Sequence, residues 1–280
     1  MLDIILDAFL DVLKLIPFLF VAFLILEYIE HKMSDKNIKL LVNNKRIGPI
    51  IGGVLGAFPQ CGFSVMVTRF FSSRVITIGT LIAVYLSTSD EMLPILISKG
   101  VNVLTIIKII GIKVLVGIIS GYLIDLIYRK NKYHDEIHDM CEASSCHCEK
   151  GIFYSSFRHT LNICVYLLIT TLIINFVIYF VGEDKISNFL SHSNGFVYFI
   201  SSLIGLIPNC ASSVIITEIY LANMISLGTL LSGLLTGSGV GILILFKTNK
   251  NLKENIIILL MIYFIGVIVG YLIDLIGITV

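Results

Sequence analysis

Two carboxylates, Asp90 and Glu91, stand side by side in a run that is otherwise apolar enough to lie in a bilayer, Gly56 to Pro94. A charged side chain at such depth costs about 2.5 to 3.5 kcal/mol even on lenient insertion scales. Something must compensate for the pair, and a passing cation can do so. The hydroxyls of Ser87, Thr88 and Ser89 come directly before it, and hard oxygen donors of this kind suit a divalent cation.

Further donors gather at two prolines. Pro59 is followed by Gln60, Cys61 and Ser64, and Pro208 by Asn209, Cys210 and Ser213. Proline removes a backbone donor and breaks a helix, so carbonyls freed there join Gln60, Asn209, Ser64 and Ser213 as neutral oxygen ligands. Cys61 and Cys210 add two thiolates, which would soften the site toward transition and heavy metals. A third tract holds His134, His138, Cys141, Cys146, His147 and Cys148 among acids. It can capture or sense Zn or Cd, although its spacing fits no structural zinc module.

These groups need a frame, and the chain supplies one twice. Pro59 matches Pro208, Cys61 matches Cys210, and Gly79, Thr80 and Leu81 match Gly228, Thr229 and Leu230, all at an offset of 149 positions. Aligned without a gap, residues 48–127 and 197–276 share 27 identities in 80 positions, including GYLIDLI at the end of each copy. Repetition on this scale marks a duplicated unit. The acidic pair is not duplicated: Gly239 and Val240 stand at the equivalent positions, within Thr236, Gly237, Ser238 and Gly239. One half therefore offers anionic ligands and the other a space lined by backbone.

The chain has 280 residues, 56% of them hydrophobic, with a mean hydropathy of +0.95. Polar side chains are too few to cover a soluble surface, and the apolar runs reach spanning length. The expected fold class is an all-α polytopic membrane protein, built as two inverted repeats whose broken or re-entrant helices meet near the bilayer midplane. The first repeat occupies residues 1–130, a His- and Cys-rich cytoplasmic linker 131–150, and the second repeat 151–280. Leu15 to Ile29 reads as a spanning helix, Val103 to Tyr128 as a long helix with Gly117 and Gly121 at a close-packing spacing, and Thr160 to Val181 as the restart of the pattern. Asp125 and Asp274, near the ends of the last helices, read as interfacial. Glu218 stands opposite Arg69 in the repeat and is a candidate partner for it, and Cys164, which has no counterpart, reads as packing.

Charge decides the orientation of the halves. The linker after the first helix carries Lys32, Lys36, Lys39, Lys45 and Arg46, whereas its counterpart in the second half has only Lys185. Conversely, the turn near Lys99 has one basic residue and its counterpart has Lys247, Lys250 and Lys253. Basic loops stay on the cytoplasmic side, so equivalent loops face opposite sides and each half crosses an odd number of times. A re-entrant hairpin bent at Pro59 puts Arg69 and Arg74 inside. Five crossings per half keep the same parity. The N-terminus is expected outside and the linker inside.

Several classes are excluded. No phosphate-binding GxxxxGK[ST] is present, which argues against an ATP-driven pump on this chain. A net charge of +1 implies no nucleic-acid partner. The N-terminus has Asp3, Asp7 and Asp11 where a signal peptide would be basic, so the first helix is expected to remain. The six cysteines form no disulfide framework, and those of the linker would stay free in a reducing cytoplasm.

Through LIPFLFVAFLILEYIEH, PQCGFS, ITIGTLIAVYLSTSDEMLPIL, IPNCASS and ISLGTLLSGLLTGSGVGILILF, the chain resembles the bacterial family of ten-transmembrane heavy-metal exporters. Members are described as manganese transporters or arsenic efflux proteins, and the family is distantly similar to the organoarsenical permeases. The resemblance covers nearly the whole chain. It implies ten segments, five per half, and a linker similar to the metal-rich linkers of such exporters.

The expected function is secondary-active efflux of a divalent metal, Mn2+ first, by alternating access in a bacterial plasma membrane. The chain is not an enzyme and holds no cofactor. Its partners are lipid and the transported ion, with proton uptake by a carboxylate able to drive release. An arsenical permease using Cys61 and Cys210 is the second reading. The third, an intramembrane thiol oxidoreductase on the same cysteines, lacks the CxxC spacing of that chemistry.

Overall fold

The computed structural model describes residues 47–57, 61–89, 92–128, 196–208 and 210–277, with isolated helical positions between 13 and 24 and between 153 and 172. The described residues are helical and contain no strand. In the first half the helices are α1 (Gly48–Gly56), α2 (Cys61–Ser72), α3 (Ile78–Ser87), α4 (Met92–Ser98) and α5 (Val103–Ile127). In the second half they are α6 (Val197–Gly205), α7 (Cys210–Leu221), α8 (Leu227–Thr236), α9 (Gly241–Thr248) and α10 (Leu252–Ile276). Every pair α1/α6 to α5/α10 starts at equivalent positions, so the sequence duplication is also a duplication of helix boundaries. Among the described residues, four stretches are long and apolar enough to cross a membrane: Ile78–Ser98, Val103–Ile127, Leu227–Thr248 and Leu252–Ile276. The chain is a multi-pass membrane protein.

The path of each half follows from its contacts. Gly48 lies against Thr80, Gly52 against Thr80 and Val84, and Gly56 against Val84 and Ser87. Thus α1 runs beside α3 in the same direction, and α2 must carry the chain back to the level where α3 begins. Helices α1 and α2 therefore run in opposite directions. The turn from α2 toward α3 is tight: Val75 N–H bonds to Phe70 O and Arg74 N–H to Phe71 O, with Arg74 left-handed at φ 59°. Asn223 repeats the conformation at φ 58° after α7, with Met224 and Asn223 bonding back to Ile219 O and Tyr220 O. This double bond pattern is the usual way of stopping a helix with a left-handed residue.

From that turn, α3 and α4 cross together and α5 returns antiparallel to them. Gly79 and Gly121 meet backbone to backbone, where a Cβ on Gly121 would stand 2.5 Å from Gly79 O; Gly228 and Gly270 repeat this at 2.5 Å. Only the absence of side chains lets two helices approach so closely. The approach also brings Asp125 to the start of α3, where Oδ1 accepts from Gly79 N–H at 2.9 Å and Oδ2 from the Thr77 hydroxyl at 2.7 Å. Asp274 does the same for α8, accepting from Gly228 N–H at 2.8 Å and from Ser226 Oγ. A helix start leaves unpaired N–H groups and a positive dipole end, and a carboxylate answers both.

The halves exchange equivalent contacts. Helix α2 packs on α9, and α7 packs on α4, while α3 and α8 touch each other at the centre. One buried cluster joins Tyr85 and Leu86 of α3 to Leu235, Ile258 and Ile262. The other joins Leu230, Leu231 and Leu234 of α8 to Met92, Ile106 and Ile109. Apolar side chains on α5 and α10 point outward, among them Leu115, Ile119, Leu123, Ile268 and Leu275, all more than half exposed. Such a surface is stable against lipid and not against water.

Candidate functional site

The cavity of interest lies where both halves interrupt their helices. From the first half it is lined by Thr88, Ser89, Met92 and Lys113, and from the second by Ile207, Ser212, Ser213, Leu234, Gly237 and Gly239. Its volume of about 20 Å³ is room for about one water or one bare cation. Three chain breaks contribute: the one after α3, the proline break between α6 and α7, and the glycine-rich break between α8 and α9.

Ser87, Thr88 and Ser89 are buried at 0%, 3% and 2% exposure, so they do not lie on a solvated turn. Ser87 and Thr88 donate their hydroxyls to Val84 O at 3.0 and 2.7 Å, and Ser89 donates to Ser87 O at 3.2 Å. Their oxygens keep lone pairs for a ligand, since a hydroxyl accepts as well as donates. Ser212 donates to Ile207 O at 3.2 Å, and so ties the start of α7 to its proline break. Ser238, which matches Ser89, is 1% exposed, and its hydroxyl has no hydrogen-bond partner. An orphaned buried hydroxyl costs desolvation energy that a ligand would recover.

Asp90, Glu91, Gln60 and Asn209 lie outside the described residues, as does the linker with His134, His138, Cys141, Cys146, His147 and Cys148. Cys61 and Cys210 are placed as the first residues of α2 and α7, but their side chains lie outside the description. The residues on either side of the acidic pair, Ser89 and Met92, both line the cavity. Among the described residues, no group of three His, Cys, Asp or Glu side chains could hold a metal. Ser64 is placed on the other side of α3, in a buried group of its own. There Thr68 Oγ1 donates to Ser64 O at 2.5 Å and also bonds to the Tyr85 hydroxyl, beside Gly241.

Sequence reasoning missed Lys113. It is 1% exposed and sits near the middle of the 25-residue α5. Its Nζ donates to Thr88 O and, at 2.9 Å, to Leu234 O. Leu234 O closes no helical turn, and Thr88 O belongs to the C-cap residue of α3. Thr88 follows the last residue of α3, and the N–H of Ser238, which would otherwise bond to Leu234 O, bonds to Thr236 O at 2.9 Å. Both carbonyls are helix C-terminal orphans with a partial negative charge, and one ammonium satisfies them. The signal was legible, because an ionisable residue in the middle of a spanning segment is a functional candidate by default.

Two other sequence expectations meet geometry here. Asp125 and Asp274 serve as helix caps. Glu218 lies 3.9 Å from Lys99, an exposed pair that joins the end of α4 to α7.

A family model described as "Putative, 10TM heavy-metal exporter" matches residues 1–181 and 151–279. No curated protein and no solved structure matches the chain.

Proposed function

Because the chain belongs to this family of ten-transmembrane heavy-metal exporters, we propose that it carries a divalent transition or heavy metal cation, Mn2+ first, out of the cell by alternating access. One observation carries the reading: the residues flanking Asp90 and Glu91 line a buried cavity bounded by chain breaks from both halves. Carbonyls at unwound helix ends, the cavity-lining hydroxyl residues Thr88, Ser89, Ser212 and Ser213, and two carboxylates make a set of hard oxygens, while Ser87 lies with its hydroxyl against Gly56 of α1. Such a set suits Mn2+, and Gln60, Cys61, Asn209 and Cys210 are assigned to complete it.

Contacts between the halves support an inverted arrangement. Arg74, at the level where α3 starts, bonds to Glu254 in the first turn of α10, at the level where α9 ends. Ser72 at the end of α2 bonds at 2.7 Å to Thr248 at the end of α9. In both cases the entry side of one half meets the far side of the other, as it does for Lys99 and Glu218. Repeats related in this way, with discontinuous helices at their interface, build a site that opens to either side by rocking. Arg69, Arg74, Lys247, Lys250 and Lys253 then share one side, which the positive-inside rule makes cytoplasmic in a bacterial plasma membrane. With the one helix that the sequence predicts at the start of each half, two short arms, one broken span and one returning span bring each half to five segments.

The test is metal content, by mass spectrometry, of cells expressing the wild type or Asp90→Asn with Glu91→Gln. The wild type should lower cell Mn2+ and the double variant should not. Wild-type export by that variant would remove the carboxylate mechanism. Arsenite resistance lost with Cys61→Ser and Cys210→Ser, but kept without the carboxylates, would instead establish the arsenical reading.

A further inference from the structure

A divalent cation entering this cavity would meet a positive charge already there. Lys113 is buried, and its ammonium rests on the two orphan carbonyls that an unwound helix pair would otherwise offer to a metal. One of those carbonyls, Thr88 O, belongs to the first half and the other, Leu234 O, to the second, so the ammonium also ties the halves together. Two cations cannot share oxygens in a space for about one ion.

We propose that Lys113 is a tethered competitor of the transported cation: its ammonium occupies the carbonyls of Thr88 and Leu234 while the site is empty, and is displaced when the metal takes those oxygens. This rests on the cation reading above and adds to it which group of the chain the metal must displace before it can bind. The device is built once. The position equivalent to Lys113 is Ile262, which is apolar and fully buried in the cluster around Tyr85. The asymmetry parallels that of Asp90 and Glu91, which also lack counterparts in the second half.

The experiment measures Mn2+ binding to purified full-length protein by titration calorimetry, at one pH, for the wild type, Lys113→Gln and Lys113→Arg. Glutamine keeps a donor for the carbonyls without the charge, and arginine keeps the charge, so a folding failure in one leaves the other informative. The folded state of each is checked by its melting temperature and elution. Gln should bind Mn2+ about tenfold more tightly than the wild type, and Arg about tenfold more weakly. Wild-type affinity in both folded variants would overturn the competitor and leave the cation reading standing. Absence of Mn2+ binding in wild type and variants alike would overturn both.

Discussion

Arg74 and Glu254 form a two-pronged ion pair, Nη1 to Oε1 at 2.8 Å and Nη2 to Oε2 at 2.9 Å, that fastens the α2–α3 turn of the first half to the first turn of the last helix. Glu254 also accepts from Asn249 Nδ2 at 2.9 Å, and Asn249 in turn donates to Asn255 Oδ1 at 2.7 Å. The pair on the other face of the molecule, Lys99 with Glu218, is longer at 3.9 Å and more exposed. The two faces are thus held unequally.

That inequality predicts the order of two losses. Arg74→Ala should lower stability by about 1 kcal/mol, the range of a partly exposed pair. Glu254→Ala should cost more, because it also removes one of the acceptors of Asn249 Nδ2 and the acidic residue in the first turn of α10. Lys99→Ala should be neutral within measurement. Thermal unfolding of the purified variants checks the order, and an equal effect at Lys99 would contradict it.

Asp125 and Asp274 are the acidic residues whose work is structural. Replacing either with Ala leaves the N–H of Gly79 or Gly228 without its acceptor, although the N-caps Thr77 and Ser226 remain, and should cost about 1 to 2 kcal/mol. Asp274→Ala also removes the acceptor of the Tyr198 hydroxyl, which donates to it at 2.9 Å. Neither change should move Mn2+ affinity. Calorimetric binding by the two variants separates these carboxylates from Asp90 and Glu91, and a loss of affinity at Asp125 would break that division.

The glycine contacts give a third test. Gly121→Val forces the α3–α5 crossing apart and should cost about 1 to 3 kcal/mol or abolish expression, with Gly270→Val matching it in the second half. Gly111, on the same helix as Gly121, has nothing within 4 Å of an added Cβ. Gly111→Ala should therefore be harmless. Expression and melting temperature of the three variants decide.

The fourth concerns topology. Lys250→Cys should be labelled by an impermeant thiol reagent only from the side that carries the linker. Lys99→Cys and Asn223→Cys should be labelled only from the opposite side. All three positions are exposed. Labelling of all three from one side would exclude inverted repeats.

What the sequence determined by itself was whatever repeats or recurs in one dimension. Identities at a constant offset predicted paired elements, and the helix boundaries follow that offset because equivalent prolines, glycines and caps stop and start helices locally. The breaks after Gly56 and Ser87 were legible for the same reason, and spanning length follows from runs of apolar residues. Tertiary structure alone decided which of these interruptions share a space. Lys113 is separated from Thr88 by 25 positions and from Leu234 by 121, and no local pattern links a lysine to two backbone carbonyls, since every residue has one. The roles of Asp125 and Asp274 were hidden likewise: a carboxylate near a helix end reads as interfacial until a glycine crossing brings it to the start of another helix. Side-chain type is written in the sequence, but an orphaned carbonyl exists only once the fold has left it without a partner.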